Sequence, residues 1–234
     1  MSPTAKFADL VNLKFNRPEV LEQAFIHRSY LNEHRELTLE HNERLEFLGD
    51  AVLELVVTDY LFLQYPDKDE GELTSLRAAL VNAVTLSEVA SKLGMNDYLY
   101  LSKGEAKDTG RARQVILANT FEAVVGAIYL DLGYEVAREF IAQHLFNKTA
   151  EIVSKNLWQD AKSFFQEKAQ EQLGVTPSYQ VLRELGPDHN KRFTIGLFIG
   201  EEQVATGEGH SKQEAEQKAA SRGLAAKGWQ NGNH

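Results

Sequence analysis

The hydrophobic periodicity of this chain changes once, after Trp158, and that change limits it to a helical part followed by a mixed α and β part. Before it, residues 20–30, 42–65, 72–93, 112–132 and 134–158 repeat apolar side chains at three- and four-residue steps, which is the spacing of one helix face. Polar or glycine-bearing breaks, PDKDEG at 66–71 and SKGEAKDTG at 102–110, read as turns. After it, residues 161–173 are amphipathic and stop at Gly174. Residues 178–185, 191–199 and 203–209 then alternate as strands do, joined by GPDHN and GEE. Ser211, with Glu214 three residues on, has the spacing of a capping box and starts a last helix. The order α-β-β-β-α is a complete small domain. We place an all-α domain at 1–150, a linker at 151–159, an α+β domain at 160–229 and a tail at 230–234.

A length of 234 residues suits two such domains. The absence of Cys excludes disulfides, thiolate metal sites and a Cys nucleophile, and fits a reducing compartment. No apolar run approaches the roughly 18 residues that span a bilayer, and MSPTAKFADL lacks the apolar core of a signal peptide. A cytoplasmic protein with no membrane partner is therefore expected. The net charge of −9, taken whole, argues against a polyanionic partner. Divided at Trp158, it is −8 from 16 basic and 24 acidic residues, then −1 from 9 and 10. The acidity belongs to the helical part, and there it has a pattern.

In HNERLEFLGDAVLEL, residues 41–55, Glu43, Glu46 and Asp50 fall at i, i+3 and i+7 and share one helix stripe. Leu45, Leu48, Val52 and Leu55 form an apolar stripe beside it. In ILANTFEAVVGAIYLD, residues 116–131, Asn119 and Glu122 stand at i and i+3 amid almost wholly apolar neighbours. A charge in such a helix is costly unless paired or bound to metal. Oxygen donors without Cys or His suit Mg²⁺ or Mn²⁺ better than zinc. Acidic residues at helical spacing also describe a solvated face with Arg44 as partner, and spacing leaves both readings open. His27, His34 and His41 lack a spaced partner motif and read as structural or surface histidines.

The motifs tip the balance. HNERLEFLGD resembles the signature decapeptide of the bacterial ribonuclease III family. FIHRSY at 25–30, DEGELTSLRAALV at 69–81 and KGEAKDTGRARQVILANTFEAVVGAIYLD at 103–131 resemble that family's other blocks in the same order. The resemblance implies an all-α endonuclease domain that forms a homodimer, with double-stranded RNA in its cleft. It also implies Mg²⁺, which Mn²⁺ can replace, and hydrolysis leaving 5′-phosphate and 3′-hydroxyl ends in the processing of ribosomal, messenger, transfer and other structured RNA. Carried over position by position, Glu43, Glu46, Asp50, Asn119 and Glu122 occupy the catalytic positions. Glu46 and Glu122 would be direct metal ligands, Asp50 a ligand mainly through water, and Glu43 a supporting acid. Glu70 matches a further acid with no assigned role.

Asn119 stands where the family pattern has Asp. An amide carbonyl still ligates an oxygen-seeking cation, so an active enzyme is the preferred reading. The alternative is a double-stranded-RNA-binding protein whose cleavage is impaired by that amide. A metal-dependent phosphohydrolase acting on nucleotides is a further rival, but it has no use for the second domain.

DAKSFFQEKAQ at 160–170, GPDHNKRF at 186–193 and GEGHSKQEAEQKAA at 207–220 resemble the first helix, first inter-strand loop and last helix start of a double-stranded-RNA-binding domain. Such a domain reads A-form shape through 2′-hydroxyls and phosphates. The resemblance gives minor-groove roles to Ser163, Gln166, Glu167 and His189, and phosphate roles to Lys212 and, less directly, Lys218. The basic cluster is thin, with Gln213 and Glu216 where many such domains have Lys, so binding is expected to be modest and steeply salt-dependent.

Overall fold

The computed structural model describes residues 3–154, 160–187 and 191–229. The chain divides into two compact units, Met1–Trp158 and Gln159–His234.

In the first unit, α1 spans Pro3–Leu10 and α2 spans Pro18–Ala24, with proline at the position where a missing N–H costs nothing. The single helix expected over 20–30 is two. Ile26 bridges to Tyr100, and the His27 ring then accepts the Ser29 N–H, which starts α3, Arg28–Glu33. Next come α4, Glu43–Gln64, and α5, Glu70–Leu80, which begins at a reciprocal capping box between Asp69 and Glu72. The stretch expected to be one helix over 72–93 is also two. Asn82 Oδ1 accepts the Thr85 N–H at 2.9 Å and begins α6, Ala83–Lys92. After α7, Arg111–Leu132, α8 covers Tyr134–Leu145. The helix expected to run on to 158 breaks there into a 3-10 turn, Phe146–Lys148, and α9, Thr149–Ser154; residues 155–159 lie outside the described residues.

α4 and α7 pack more extensively against each other than any other pair of elements. Leu45, Leu53, Val56 and Val57 of α4 share a core with Phe121, Val124, Val125 and Ile128 of α7. α7 is long and apolar enough to cross a membrane, contrary to the expectation that no run reaches that length, and most of it is buried in this core. The apolar stripe expected on α4 is corrected in part. Leu45 and Val52 are buried, Leu48 is half-buried, and Leu55 is 58% exposed.

In the second unit, α10 spans Ala161–Leu173, capped by Asp160, and ends at Gly174, whose φ of 68° is the left-handed value that favours glycine. Strands β1, Ser178–Leu185, β2, Arg192–Ile199, and β3, Glu202–Gly209, form an antiparallel sheet in the order β1-β2-β3. α11, Lys212–Lys227, packs with α10 on one face of the sheet around Phe165, Leu197, Ala219 and Leu224. Ser211 caps α11 through the Glu214 N–H, but Glu214 accepts from His210 N rather than from Ser211 N, so the expected box closes one residue early.

Candidate functional site

The two helices that carry the acidic residues meet backbone to backbone. Gly49 and Gly126 are buried at the crossing of α4 and α7. A Cβ on Gly49 would land on the Glu122 carbonyl oxygen and lie 2.8 Å from Gly126 N. A Cβ on Gly126 would land on the Leu45 carbonyl oxygen. Glycine inside a helix costs about 1 kcal/mol relative to alanine, and here it permits an approach that no other residue allows. Sequence reading passed over both glycines, although glycine inside an apolar helical pattern is the signal for close backbone contact.

That approach sets Glu46 and Asp50 of α4 beside Glu122 of α7. Burial raises the Glu122 pKa from its ordinary 4.5 to about 8, with Asp50 and then Glu46 adding repulsion. Burial also raises the Glu46 pKa, and Glu43 and Asp50 add to the rise. A hydrogen bond from the Asn119 amide opposes it. Thus Glu46, Asp50, Asn119 and Glu122 interact across the two helices. Among the described residues, no cationic side chain pairs with Glu46, Asp50 or Glu122. The solvated-face reading required such a partner in Arg44, but Arg44 lies 3.9 Å from Glu40 instead.

Glu43 differs from the other three. It sits 3.3 Å from Arg28, and His41 Nδ1 accepts its backbone N–H. Glu70 lies exposed in the first turn of α5. The histidines are structural: His27 caps α3, and His34 stacks on Tyr30 and hydrogen-bonds its carbonyl.

Among the described residues, no three His, Cys, Asp or Glu side chains converge closely enough to hold a metal ion as they stand. The chemistry of the donor set nonetheless fits a divalent cation. Three carboxylates repel one another across the two helices, one of them is largely buried, Asn119 lies beside Glu46 with an amide that also offers an oxygen, and the repulsion is what a bound cation would relieve.

In the second unit, Ser163, Gln166 and Glu167 stand exposed on α10 and line a cleft of about 540 Å³ with Gln170 and Glu171. The Ser163 hydroxyl donates to Asp160 at 3.0 Å. Lys212, in the first turn of α11, lies 3.5 Å from Glu184 and over the Phe193 ring. Lys218 pairs with Glu214 at 2.6 Å. His189 lies outside the described residues.

Residues 17–149 match the family profile described as Ribonuclease-III-like, and residues 161–226 match the double-stranded RNA binding motif. Over 215 residues the chain is 46% identical to ribonuclease 3 of Carboxydothermus hydrogenoformans, covering 92% of each chain. It is 41% identical over 226 residues to ribonuclease 3 of Borreliella burgdorferi, covering 96% of this chain and 91% of that one. The nuclease domain of ribonuclease III from Campylobacter jejuni aligns with a TM-score of 0.53 at 34% identity, covering 68% of this chain and 99% of that one. A second structure of that domain aligns with a TM-score of 0.53 at 36% identity, covering 59% and 96%, and is described as flexible in a region involved in dimer formation.

A helical nuclease unit followed by a duplex-RNA-binding unit defines an endoribonuclease acting on double-stranded RNA. The chain belongs to the ribonuclease III family.

Proposed function

We propose that this endoribonuclease hydrolyses duplex RNA with Mg²⁺, or Mn²⁺ in its place, held by Glu46, Asp50, Asn119 and Glu122. The observation that carries this reading is Glu122: a mostly buried carboxylate, flanked by Asp50 and Glu46 and, among the described residues, neutralised by no cationic side chain. When bound, a divalent cation would supply the Lewis acidity that activates water, offsets charge on the transferring phosphoryl group and stabilises the leaving 3′ oxygen. Glu46 and Glu122 present carboxylate oxygens from opposite helices. Asp50 adds negative charge to the same group. Asn119 turns its amide toward Glu46 and partly offsets the rise that burial imposes on that carboxylate's pKa. Glu43, neutralised by Arg28, supports the stripe from its outer end. The products would carry 5′-phosphate and 3′-hydroxyl ends, and the substrates would be structured RNAs, ribosomal precursors among them.

In the second unit, Ser163, Gln166 and Glu167 would read the minor groove from α10, and His189 would do so from the loop between β1 and β2. Lys212, with Lys218 further along, would meet phosphate at α11, where the helix dipole assists. Residues 1–150 would be the catalytic domain and 160–229 the binding domain, with 151–159 joining them, in a cytoplasmic protein.

A homodimer is supported by an unpartnered apolar face on α4, where Phe47 is 82% exposed, Leu55 58% and Phe62 66%. Large exposed side chains aligned on one helix face mark an interaction surface. The Campylobacter jejuni nuclease domain is described with a dimer-forming region.

The test is cleavage of long duplex RNA in Mg²⁺, with and without EDTA, and with analysis of the product ends. Cleavage that stops in EDTA and leaves 5′-phosphates supports the reading, and cleavage that persists in EDTA overturns it.

A further inference from the structure

Four basic side chains of the second unit converge on a cleft, and of them only Lys218 has a part in the proposed duplex contacts. Arg192 opens β2, His210 follows β3, and Lys218 and Arg222 stand four residues apart on one flank of α11. With Glu208 and Gly209 they line a cleft of about 310 Å³. Gathering like charges costs free energy unless something answers them, and here little does. Arg192 is exposed, and its side chain has no hydrogen bond or ion pair among the described residues. Arg222 donates to the Thr206 carbonyl at 2.9 Å and, among the described residues, pairs with no carboxylate. Of the three fixed charges, only Lys218 is paired with an acid, Glu214. Arg192, Lys218 and Arg222 therefore share the cleft with a single lining carboxylate, Glu208, in a unit where 9 basic residues are outnumbered by 10 acidic ones. Two guanidinium forks with free donors match the oxygens of a phosphate group.

We propose that this cleft between β3 and α11 is a phosphate-binding site, separate from the face that carries Ser163, Gln166 and Lys212. Lys218 lies about 240° further round α11 than Lys212, so its phosphate contact falls in this cleft and not on the face of Lys212. The phosphate belongs to an RNA backbone passing the β3 edge or is free in solution. In the RNA case the site rests on the duplex-binding reading of this unit, and it adds contacts that α10 and the α11 N-terminus do not make.

The experiment uses the full-length chain and two probes, long duplex RNA over a salt series and inorganic phosphate alone. R192Q is the cleanest variant because it removes no contact; R192Q/R222Q doubles the effect, and K212Q reports on the expected RNA face. If RNA backbone fills the cleft, the slope of log affinity against log salt becomes shallower by roughly one in R192Q and roughly two in the double variant. E208Q then moves affinity the other way, upward, which a folding defect would not do. If free phosphate fills it, the RNA slope stays unchanged while saturable binding of inorganic phosphate is lost in R192Q/R222Q. If neither probe responds to R192Q/R222Q while K212Q still weakens RNA binding, the cleft is no phosphate site and the duplex reading stands. Failure of the unaltered chain to bind duplex at all would overturn the duplex reading and leave the inorganic-phosphate arm to decide the cleft.

Discussion

Gly49 of α4 lies against the carbonyl of Glu122 of α7 so closely that a methyl group on Gly49 would overlap that oxygen. One residue pair thus joins the packing of the nuclease unit to the placement of its most perturbed carboxylate. Helix propensity alone makes Gly49→Ala stabilising by about 1 kcal/mol. The contact predicts the opposite sign: the helices must separate, at a cost of about 1–3 kcal/mol or more. Thermal unfolding should show a lowered Tm for the nuclease unit, and cleavage should fall further than stability does because Glu122 moves away from Glu46. A raised Tm would show that the helices do not approach as described.

Glu122 makes stability depend on pH in a defined direction. Its pKa rises from 4.5 to about 8 on folding, so between those values the folded chain holds a proton that the unfolded chain has released. Stability linked to this group is complete below pH 4.5 and is lost as pH rises through about 8. The metal-free protein should therefore lose Tm from pH 5.5 to 8.5, and Glu122→Gln should flatten that trend. Mg²⁺ should restore stability most at the alkaline end and release a proton on binding. A trend of opposite sign in the metal-free protein would contradict the site's electrostatics.

Asn119→Asp exchanges a hydrogen-bond donor toward Glu46 for a fourth carboxylate. The metal-free variant should be less stable than the parent at pH 8, because like charge is added without a cation. Half-maximal cleavage should need several-fold less Mg²⁺, and the parent should itself cleave. Cleavage only in the Asp variant would favour the reading of this chain as an RNA-binding protein with impaired catalysis.

Phe47→Asp should shift a homodimer toward monomer by at least about tenfold in dissociation constant, roughly 1.4 kcal/mol, without unfolding the unit, since Phe47 is 82% exposed in the single chain. Sedimentation at graded concentrations would report it. An unchanged dimer would place the interface elsewhere.

Helices α4 and α7 could be anticipated because their apolar residues recur at helical steps, and the strands were evident because β1, β2 and β3 alternate. Interruptions inside helical runs were less visible. Asn82 and His27 each start a new helix through a single side-chain cap, and the periodicity on either side hides the break. The acidic stripe on α4 was readable from spacing. Its meeting with Glu122 was not, since that depends on two glycines more than seventy residues apart closing to backbone contact. Nor did spacing show that Arg44 turns to Glu40 and leaves Glu46 and Asp50 without a cationic partner among the described residues.

The most direct measurement is cleavage of long duplex RNA in saturating Mg²⁺ by the unaltered chain and by Glu122→Gln, with duplex affinity measured in parallel. Removing a charge that holds the cation should lower cleavage by at least about a hundredfold, on the scale of losing one main transition-state interaction, while leaving RNA affinity within about threefold. Cleavage by Glu122→Gln at the rate of the unaltered chain would contradict the assignment of these two helices as the seat of the chemistry.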